Sequence, residues 1–219
     1  MEVTVTESAQ LKEKPDESKL GFGTLFSDYM FIMDYEPDKG WHSARIEPYG
    51  PMALDPSTMF LHYAQGAFEG LKAYRTESGS IQLFRPQENF KRLNRSCRRL
   101  CMPELDENFA LDALKQLLTM EKNWVPSAPE TSLYIRPTLI ATDPYIGVRA
   151  SFNYRYFIIL SPVGAYEPEG GVAVILRVRQ EGVRAVRGGG GEADSPGDCA
   201  ARCVAGDQAQ TDGEGAGVW

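Results

Sequence analysis

The amino-acid sequence predicts an α/β fold of the mixed, α+β type, in which strands and helices occupy separate stretches of the chain. Segments rich in β-forming residues come first, two amphipathic helical patterns follow one another, and β-rich segments then return. These three observations predict one domain over residues 21–170. Residues 1–20 precede it and residues 171–219 follow it as segments of different character.

The first twenty residues are polar and rich in Lys, Glu, Ser and Pro. Such a segment has too few apolar side chains to offset the entropy of ordering it. We therefore expect residues 1–20 to form a flexible leader.

Four strands are expected before the helices, at residues 29–35, 46–48, 70–75 and 81–84. The first two are separated by a turn-forming stretch at residues 37–40, which contains Pro, Asp and Gly. The last two flank a short turn at residues 78–80. The pattern predicts two hairpins.

Two helices are expected next. Pro86 stands at a favoured first-turn position, and an apolar stripe follows it at Phe90, Leu93, Cys97, Leu100 and Cys101. Asp106 is a suitable N-cap for the second helix, and Pro126 is expected to mark its end. Its predicted buried face consists of Ala110, Ala113, Leu114, Leu117 and Leu118.

Further strands are expected at residues 132–140, 152–163 and 172–178. The composition then changes: 15 of the 32 residues from position 188 to position 219 are Gly or Ala. A segment with so few large apolar residues cannot build a core. We expect this tail to be disordered or poorly packed.

Composition and charge narrow the class of function. The chain has 23 Lys and Arg against 30 Asp and Glu, which gives a net charge of −7. It therefore lacks the excess of positive charge that is typical of proteins that bind nucleic acid or an anionic membrane. No apolar run approaches the roughly 18 residues of a membrane span, and no signal or transit peptide is recognisable. A small-molecule partner and a cytoplasmic location are expected.

Cysteine and histidine suggest no metal or disulfide chemistry. Cys97 and Cys101 lie one helical turn apart, a spacing that suits neither a redox pair nor a zinc site, and they are expected to be core thiols. His42 and His62 are too few and too far apart for a metal site.

Arginines and aromatic residues are the candidates for binding. Arg92, Arg95 and Arg99 recur on one helical face, which is either a solvated basic surface or a grip for phosphate or carboxylate. Strand alternation places Tyr134 and Arg136 on one face, which either receives a substrate carboxylate or is simply exposed.

Three aromatic residues and a glycine run leave similar alternatives open. Tyr63, Phe68 and Tyr166 lie near glycine or in loop-like sequence, where pocket walls and core packing are both common. The four glycines at residues 188–191 are a weak phosphate-binding signal, because neither a Walker nor a Rossmann pattern accompanies them.

Five ordered motifs carry a more specific resemblance: LKEKPDESKLGFGTLFSDYM, FLHYAQGAFEGLKAYR, LFRPQENFKRLNRS, TSLYIRPTLI and LSPVGAYEP. Over residues 11–192 the chain resembles the branched-chain amino acid aminotransferases, which are pyridoxal phosphate enzymes of fold type IV. The resemblance implies the small N-terminal domain of that fold, with only the beginning of a second domain. It also implies a homodimer and amino transfer between Leu, Ile or Val and 2-oxoglutarate.

The resemblance also implies roles for individual residues. Arg92 and Arg184 match arginines that bind the cofactor phosphate, and Ile146 matches a position that family dimers contribute to the neighbouring subunit's pocket. The remaining matches are to positions that line the substrate pocket, at Phe22, Tyr63, Phe68, Tyr134, Arg136 and Tyr166.

The same comparison implies an altered catalytic position. Asp194 stands where the family has the lysine that forms a Schiff base with the cofactor, and Cys199 stands where it has a tyrosine. A carboxylate cannot form an imine. We therefore expect no catalytic residue in this chain, a truncated second domain over residues 171–219, and no transaminase activity. The alternatives are a non-catalytic fragment that pairs with a full-length subunit, and a misjoined gene product.

Overall fold

A computed structural model of the chain describes residues 1–164. Within them an eight-stranded sheet forms one layer, and two long helices cover one of its faces. The strands are β1 (Thr4–Val5), β2 (Tyr29–Glu36), β3 (Gly40–Pro48), β4 (Gly66–Phe68), β5 (Leu71–Arg75), β6 (Ile81–Leu83), β7 (Ser132–Ala141) and β8 (Tyr154–Val163). The helices are α1 (Met59–Tyr63), α2 (Pro86–Arg99) and α3 (Glu107–Met120), with 3₁₀ turns at Glu17–Lys19 and Lys122–Trp124. The mixed α+β class is confirmed.

The strands are ordered β1, β3, β2, β8, β7, β5, β6, and β4 also pairs with β7. Among the described strands, β1 runs parallel to β3, and the other pairings are antiparallel. The longest pairing joins β7 to β8, from Ser132 opposite Val163 to Ala141 opposite Tyr154. Strand β7 therefore lies between β8 on one side and the short strands β4 and β5 on the other.

The first predicted hairpin is confirmed as β2 and β3, although β3 begins earlier than expected, at Gly40. Gly40 has a φ of 64°, a conformation that glycine adopts without steric cost, at the end of the turn. The register shifts between Ile32 and Asp34, which marks a bulge. The second predicted hairpin is confirmed as β5 and β6, each slightly shorter than predicted.

Helix α2 begins at Pro86 as predicted, and Phe90, Leu93 and Cys97 are buried in the core. The prediction that its stripe includes Leu100 and Cys101 is wrong. The helix ends at Arg99, and Cys101 adopts a φ of 54°, which turns the chain away from the helical path. Leu100 is consequently 39% exposed.

Helix α3 confirms the predicted cap and buried face. The Asp106 side chain accepts hydrogen bonds from the backbone N–H groups of Asn108 and Phe109, at 2.9 and 3.0 Å. The helix ends at Met120 rather than near Pro126, because the 3₁₀ turn intervenes. That turn directs Trp124 inward, where its Nε1–H donates to the Asp28 carboxylate at 2.7 Å.

The two long strands after the helices are confirmed as β7 and β8. Strand β8 begins at Tyr154 rather than at Phe152, because the N–H groups of Phe152 and Asn153 each donate to the Asp143 carboxylate at 2.9 Å. The expected strand at residues 172–178 and the expected disorder of the tail both lie outside the described residues.

Three short elements were not predicted: β1, α1 and β4. Each is five residues or fewer, too short to display a period in the sequence. They are specified by contacts with distant parts of the chain, as in the pairing of Thr4 with Arg45.

The leader, for which the sequence predicts flexibility, makes specific polar contacts with the domain. The Lys14 ammonium lies 2.8 Å from the Asp28 carboxylate and 3.8 Å from the centre of the Trp124 ring. The Lys12 backbone N–H donates to the same carboxylate at 2.7 Å. Asp28 and Trp124 of the domain thus bind the leader, and the composition of the leader alone does not reveal these partners.

Among residues 1–164, no helix combines the length and the apolar character needed to cross a membrane. The same residues contain no group of three His, Cys, Asp or Glu side chains placed to hold a metal ion.

The buried carboxyl group of Glu121 makes stability depend on pH. Burial raises its pKa from an ordinary value near 4.5 to about 7, and the backbone N–H of Tyr29 donates to it. Between these pH values the folded chain binds more protons than the unfolded chain, so stability falls as pH rises through this window. Glu121→Gln keeps the acceptor oxygen and removes the charge.

We expect Glu121→Gln to raise the free energy of unfolding at pH 8, by on the order of 2 kcal/mol, and to have little effect near pH 4.5. Urea unfolding at several pH values measures the difference. A stabilisation that is equal at both extremes would contradict this assignment.

Candidate functional site

The open face of β7 carries the predicted pair Tyr134 and Arg136. The neighbouring residues Leu133 and Ile135 are completely buried against the helices, whereas Tyr134 and Arg136 are partly exposed on the opposite face. The predicted alternation is therefore confirmed. Since α2 and α3 pack on the other face, neither of these two helices covers this side of β7.

The Arg136 guanidinium is held by neutral partners. Its Nε and Nη2 groups donate to Tyr134 Oη at 3.2 and 2.8 Å, and it stacks on the Phe68 ring at 4.4 Å. Phe22 meets the Tyr134 ring edge-on, with the ring centres 5.1 Å apart. Among residues 1–164 no carboxylate pairs with Arg136, so its charge is available to an anion.

The chain passes from β4 to β5 through Phe68, Glu69 and Gly70, a segment that we call the crossing. Each of its three residues contacts a part of this site. Phe68 supplies the ring beneath Arg136, and Glu69 points to α2. Gly70 lies so close to Tyr134 that a methyl group at this position would overlap Tyr134 Oη. The absence of a side chain at residue 70 therefore lets the hydroxyl reach Arg136.

Arg92, the predicted phosphate ligand, forms a two-point ion pair with Glu69. Arg92 Nε and Nη2 each lie 2.5 Å from a different oxygen of the Glu69 carboxylate. Burial opposes the charge on Glu69, but hydrogen bonds from Arg92 and Asn89 outweigh it and lower the pKa of Glu69 below its usual value. The pair is therefore ionised at neutral pH, and the outer edge of Arg92 binds no other residue of the described part of the chain.

A basic cleft lies beside this ion pair. It has a volume of about 410 Å³ and is lined by Arg92, Arg95, Ser96, Arg99 and Leu100. Arg95 and Arg99 form no salt bridge among the described residues. The three arginines predicted to share one helical face do so, and the cleft carries a net positive charge suited to a phosphate group.

Tyr63 and Ile146 form a separate contact. The Tyr63 hydroxyl donates to the backbone carbonyl of Ile146, and the Ile146 side chain is 65% exposed. The contribution of Ile146 to a neighbouring subunit stays a prediction. Tyr166, Arg184, Asp194 and Cys199 lie outside the described residues, and their roles stay predictions too.

Sequence reasoning missed the role of Glu69 and Gly70. The available signal was an acid and a glycine placed together between two β-forming segments, in the stretch AFEGLKAY. An acid inside such a segment is buried only when it is paired, and an internal glycine indicates a close approach. Helix α2 and strand β7 thus present one arginine each, Arg92 suited to a phosphate and Arg136 suited to a carboxylate.

The chain is similar in sequence to several proteins that are all named as branched-chain aminotransferases or transaminases. The chain is 56% identical over 191 residues to branched-chain-amino-acid transaminase 1 of Bacillus subtilis, covering 87% of this chain and 54% of the relative. It is 50% identical over 208 residues to branched-chain-amino-acid aminotransferase 2 of the same strain, covering 95% and 57%. A Mycolicibacterium smegmatis branched-chain-amino-acid aminotransferase is 49% identical, covering 91% and 54%. The chain thus spans about half the length of these relatives.

Solved structures give weaker matches, and no family model matches the chain. A branched-chain amino acid aminotransferase from Escherichia coli matches 63% of this chain and 41% of its own, with 21% identity and a TM-score of 0.46. The branched-chain aminotransferase from Thermoproteus uzoniensis with norvaline matches 62% and 41%, with 20% identity and a TM-score of 0.44. The family assignment therefore rests on the sequence relatives.

Gly70→Ala tests whether the crossing controls the Tyr134 hydroxyl. The added methyl group would displace the hydroxyl from Arg136, while stability should change by only about 1–2 kcal/mol, because the end of a side chain moves rather than backbone. The Arg136 Nε–H resonance should shift in ¹H–¹⁵N spectra.

The matched control is Gly50→Ala, because a Cβ at Gly50 meets its nearest atom, Pro48 O, only at 4.0 Å. An unchanged Arg136 resonance in Gly70→Ala would show that the hydroxyl position does not depend on residue 70.

Proposed function

The chain belongs by homology to the branched-chain aminotransferases, and we propose that its described residues form the substrate-facing and phosphate-facing wall of such a site. In a complete enzyme of this family, such a wall would serve amino transfer between leucine, isoleucine or valine and 2-oxoglutarate. The observation that carries the proposal is the open guanidinium of Arg136, held by Tyr134 and Phe68 without a competing carboxylate among residues 1–164.

The chemistry of the substrates fits this arrangement. Every amino acid and 2-oxo acid in the reaction carries a carboxylate, which the planar fork of an arginine binds with two hydrogen bonds. The Phe68 ring beneath Arg136 and the Phe22 ring beside Tyr134 are exposed and offer apolar surface to an aliphatic side chain. Arg136 would bind and orient the carboxylate, and the rings would exclude water from the side chain.

The donor set beside α2 fits the phosphate of pyridoxal phosphate. Arg92 keeps an open edge, and Arg95 and Arg99 add positive charge in the same cleft. When bound, pyridoxal phosphate would supply the carbonyl and the electron-withdrawing ring that amino transfer requires. Arg92 would hold its phosphate, with Arg184 as a second proposed ligand.

At the position where the reaction needs an amine, this chain has a residue that cannot supply one. Asp194 stands at the expected lysine position, and no lysine follows Lys122 anywhere in the sequence. A carboxylate can neither bond covalently to the cofactor carbonyl nor act there as the amine that moves the proton. We propose that this chain binds the phosphate-bearing cofactor without a covalent bond and does not catalyse amino transfer.

Arg136→Gln tests the carboxylate site. Titration of the chain with the 2-oxo acid of leucine, followed by ¹H–¹⁵N spectra, should show binding weakened by about ten- to a hundredfold, because a charge-assisted pair is lost.

The uncharged amide of 4-methylpentanoic acid should be insensitive to the change. Arg98→Gln is the matched control, since Arg98 is an exposed arginine paired with Glu104. Equal affinity of Arg136→Gln and the unaltered chain for the oxo acid would refute the proposed site.

Asp194→Lys tests the missing amine. After pyridoxal phosphate and borohydride treatment, we expect peptide mass spectrometry to find cofactor fixed at residue 194 in this variant. Asp198→Lys, four residues away, is the control and should gain no comparable modification. Amino transfer by the unaltered chain would contradict the proposal that it is inactive.

A further inference from the structure

Glu69 is a buried acid whose two oxygens are both engaged by the α2 helix. Its side chain is only 6% exposed, whereas that of Arg92 is 57% exposed. One oxygen accepts from Arg92 Nε, and the other accepts from Arg92 Nη2 at 2.5 Å and from Asn89 Nδ2 at 3.1 Å. The acid therefore lies on the inner side of the guanidinium, and no residue between 1 and 164 binds the outer side.

The backbone around Glu69 is held as firmly as its side chain. The Glu69 N–H donates to the carbonyl of Pro137 on β7 at 2.9 Å, and Asn89 Nδ2 also donates to the Gly70 carbonyl at 3.2 Å. The carboxylate is thus tied to the central strand and to α2 at once. A guanidinium gripped at two points by such a group has one plane and one orientation.

We propose that Glu69 is a positioning residue for cofactor binding, which holds Arg92 with its free N–H groups directed outward to a phosphate dianion. The proposal rests on the proposed function of Arg92. Orientation before binding removes the entropy cost of ordering a long side chain at the moment the ligand arrives. Arg95 and Arg99 offset the negative charge that Glu69 adds to the cleft.

A purely structural ion pair predicts a different result. If Arg92 served only to neutralise a buried acid, losing the Glu69 charge would alter folding stability and would not affect phosphate recognition selectively. The decisive quantity is therefore the ratio of the affinities for pyridoxal phosphate and for pyridoxal, which lacks the phosphate. General damage to the site lowers both affinities, and misplacement of Arg92 lowers only the first.

The experiment compares the unaltered chain with Glu69→Gln, Arg92→Ala and the control Glu88→Gln, by equilibrium dialysis with both probes. Glu88 is an exposed acid on α2 paired with Lys91 at 3.0 Å. We expect Glu69→Gln to weaken pyridoxal phosphate binding about tenfold, with pyridoxal binding unchanged, and Glu88→Gln to change neither. The Arg92 Nε–H resonance should lose its protection from solvent exchange in Glu69→Gln alone.

The outcomes separate this proposal from the one it rests on. If Arg92→Ala loses the preference for pyridoxal phosphate and Glu69→Gln keeps it, the positioning role is overturned and the phosphate role of Arg92 stands. If Arg92→Ala keeps the preference, or the unaltered chain shows none, both are overturned. Should Glu69→Gln fail to fold, Asn89→Ala removes the hydrogen bonds to the Glu69 carboxylate and to the Gly70 carbonyl, and an unchanged preference there would overturn the positioning role.

Discussion

The antiparallel pairing of β7 with β8 is the constraint on which the rest of the described structure depends. It spans ten residue pairs and leaves the other edge of β7 to two short strands, β4 and β5. The chain crosses from one to the other opposite Pro137, whose carbonyl receives the Glu69 N–H. Proline has no N–H to donate, so β7 lacks one hydrogen bond of the sheet at this residue. The interruption between β4 and β5 lies opposite this gap.

That interruption also explains why adjacent residues of one short segment contact two arginines from different elements. Glu69 and Phe68 alternate across the sheet, so one side chain reaches α2 while the other lies beneath Arg136. A shift of this crossing by one residue would exchange the two faces and disconnect both arginines from their partners. The arrangement of the site is thus a consequence of strand register.

The sequence predicts the long elements well because they repeat their pattern. Helices α2 and α3 show an apolar stripe over several turns, and β7 alternates buried and open residues, which places Tyr134 and Arg136 correctly. The ends of the elements and the short elements depend on particular distant contacts instead. The Asp143 carboxylate delays the start of β8, and no periodicity contains that information. The roles of Glu69 and Gly70 are of the same kind, since they arise from neighbours that are distant in sequence, on α2 and on β7.

The close fit of Gly70 beneath Tyr134 has a consequence for how this protein can change over generations. Any side chain at position 70 meets the tyrosine hydroxyl, so the two positions cannot vary independently. A larger residue at 70 is accommodated only if the hydroxyl moves away from Arg136 or is lost from position 134. A substitution at either position therefore changes how Arg136 is held.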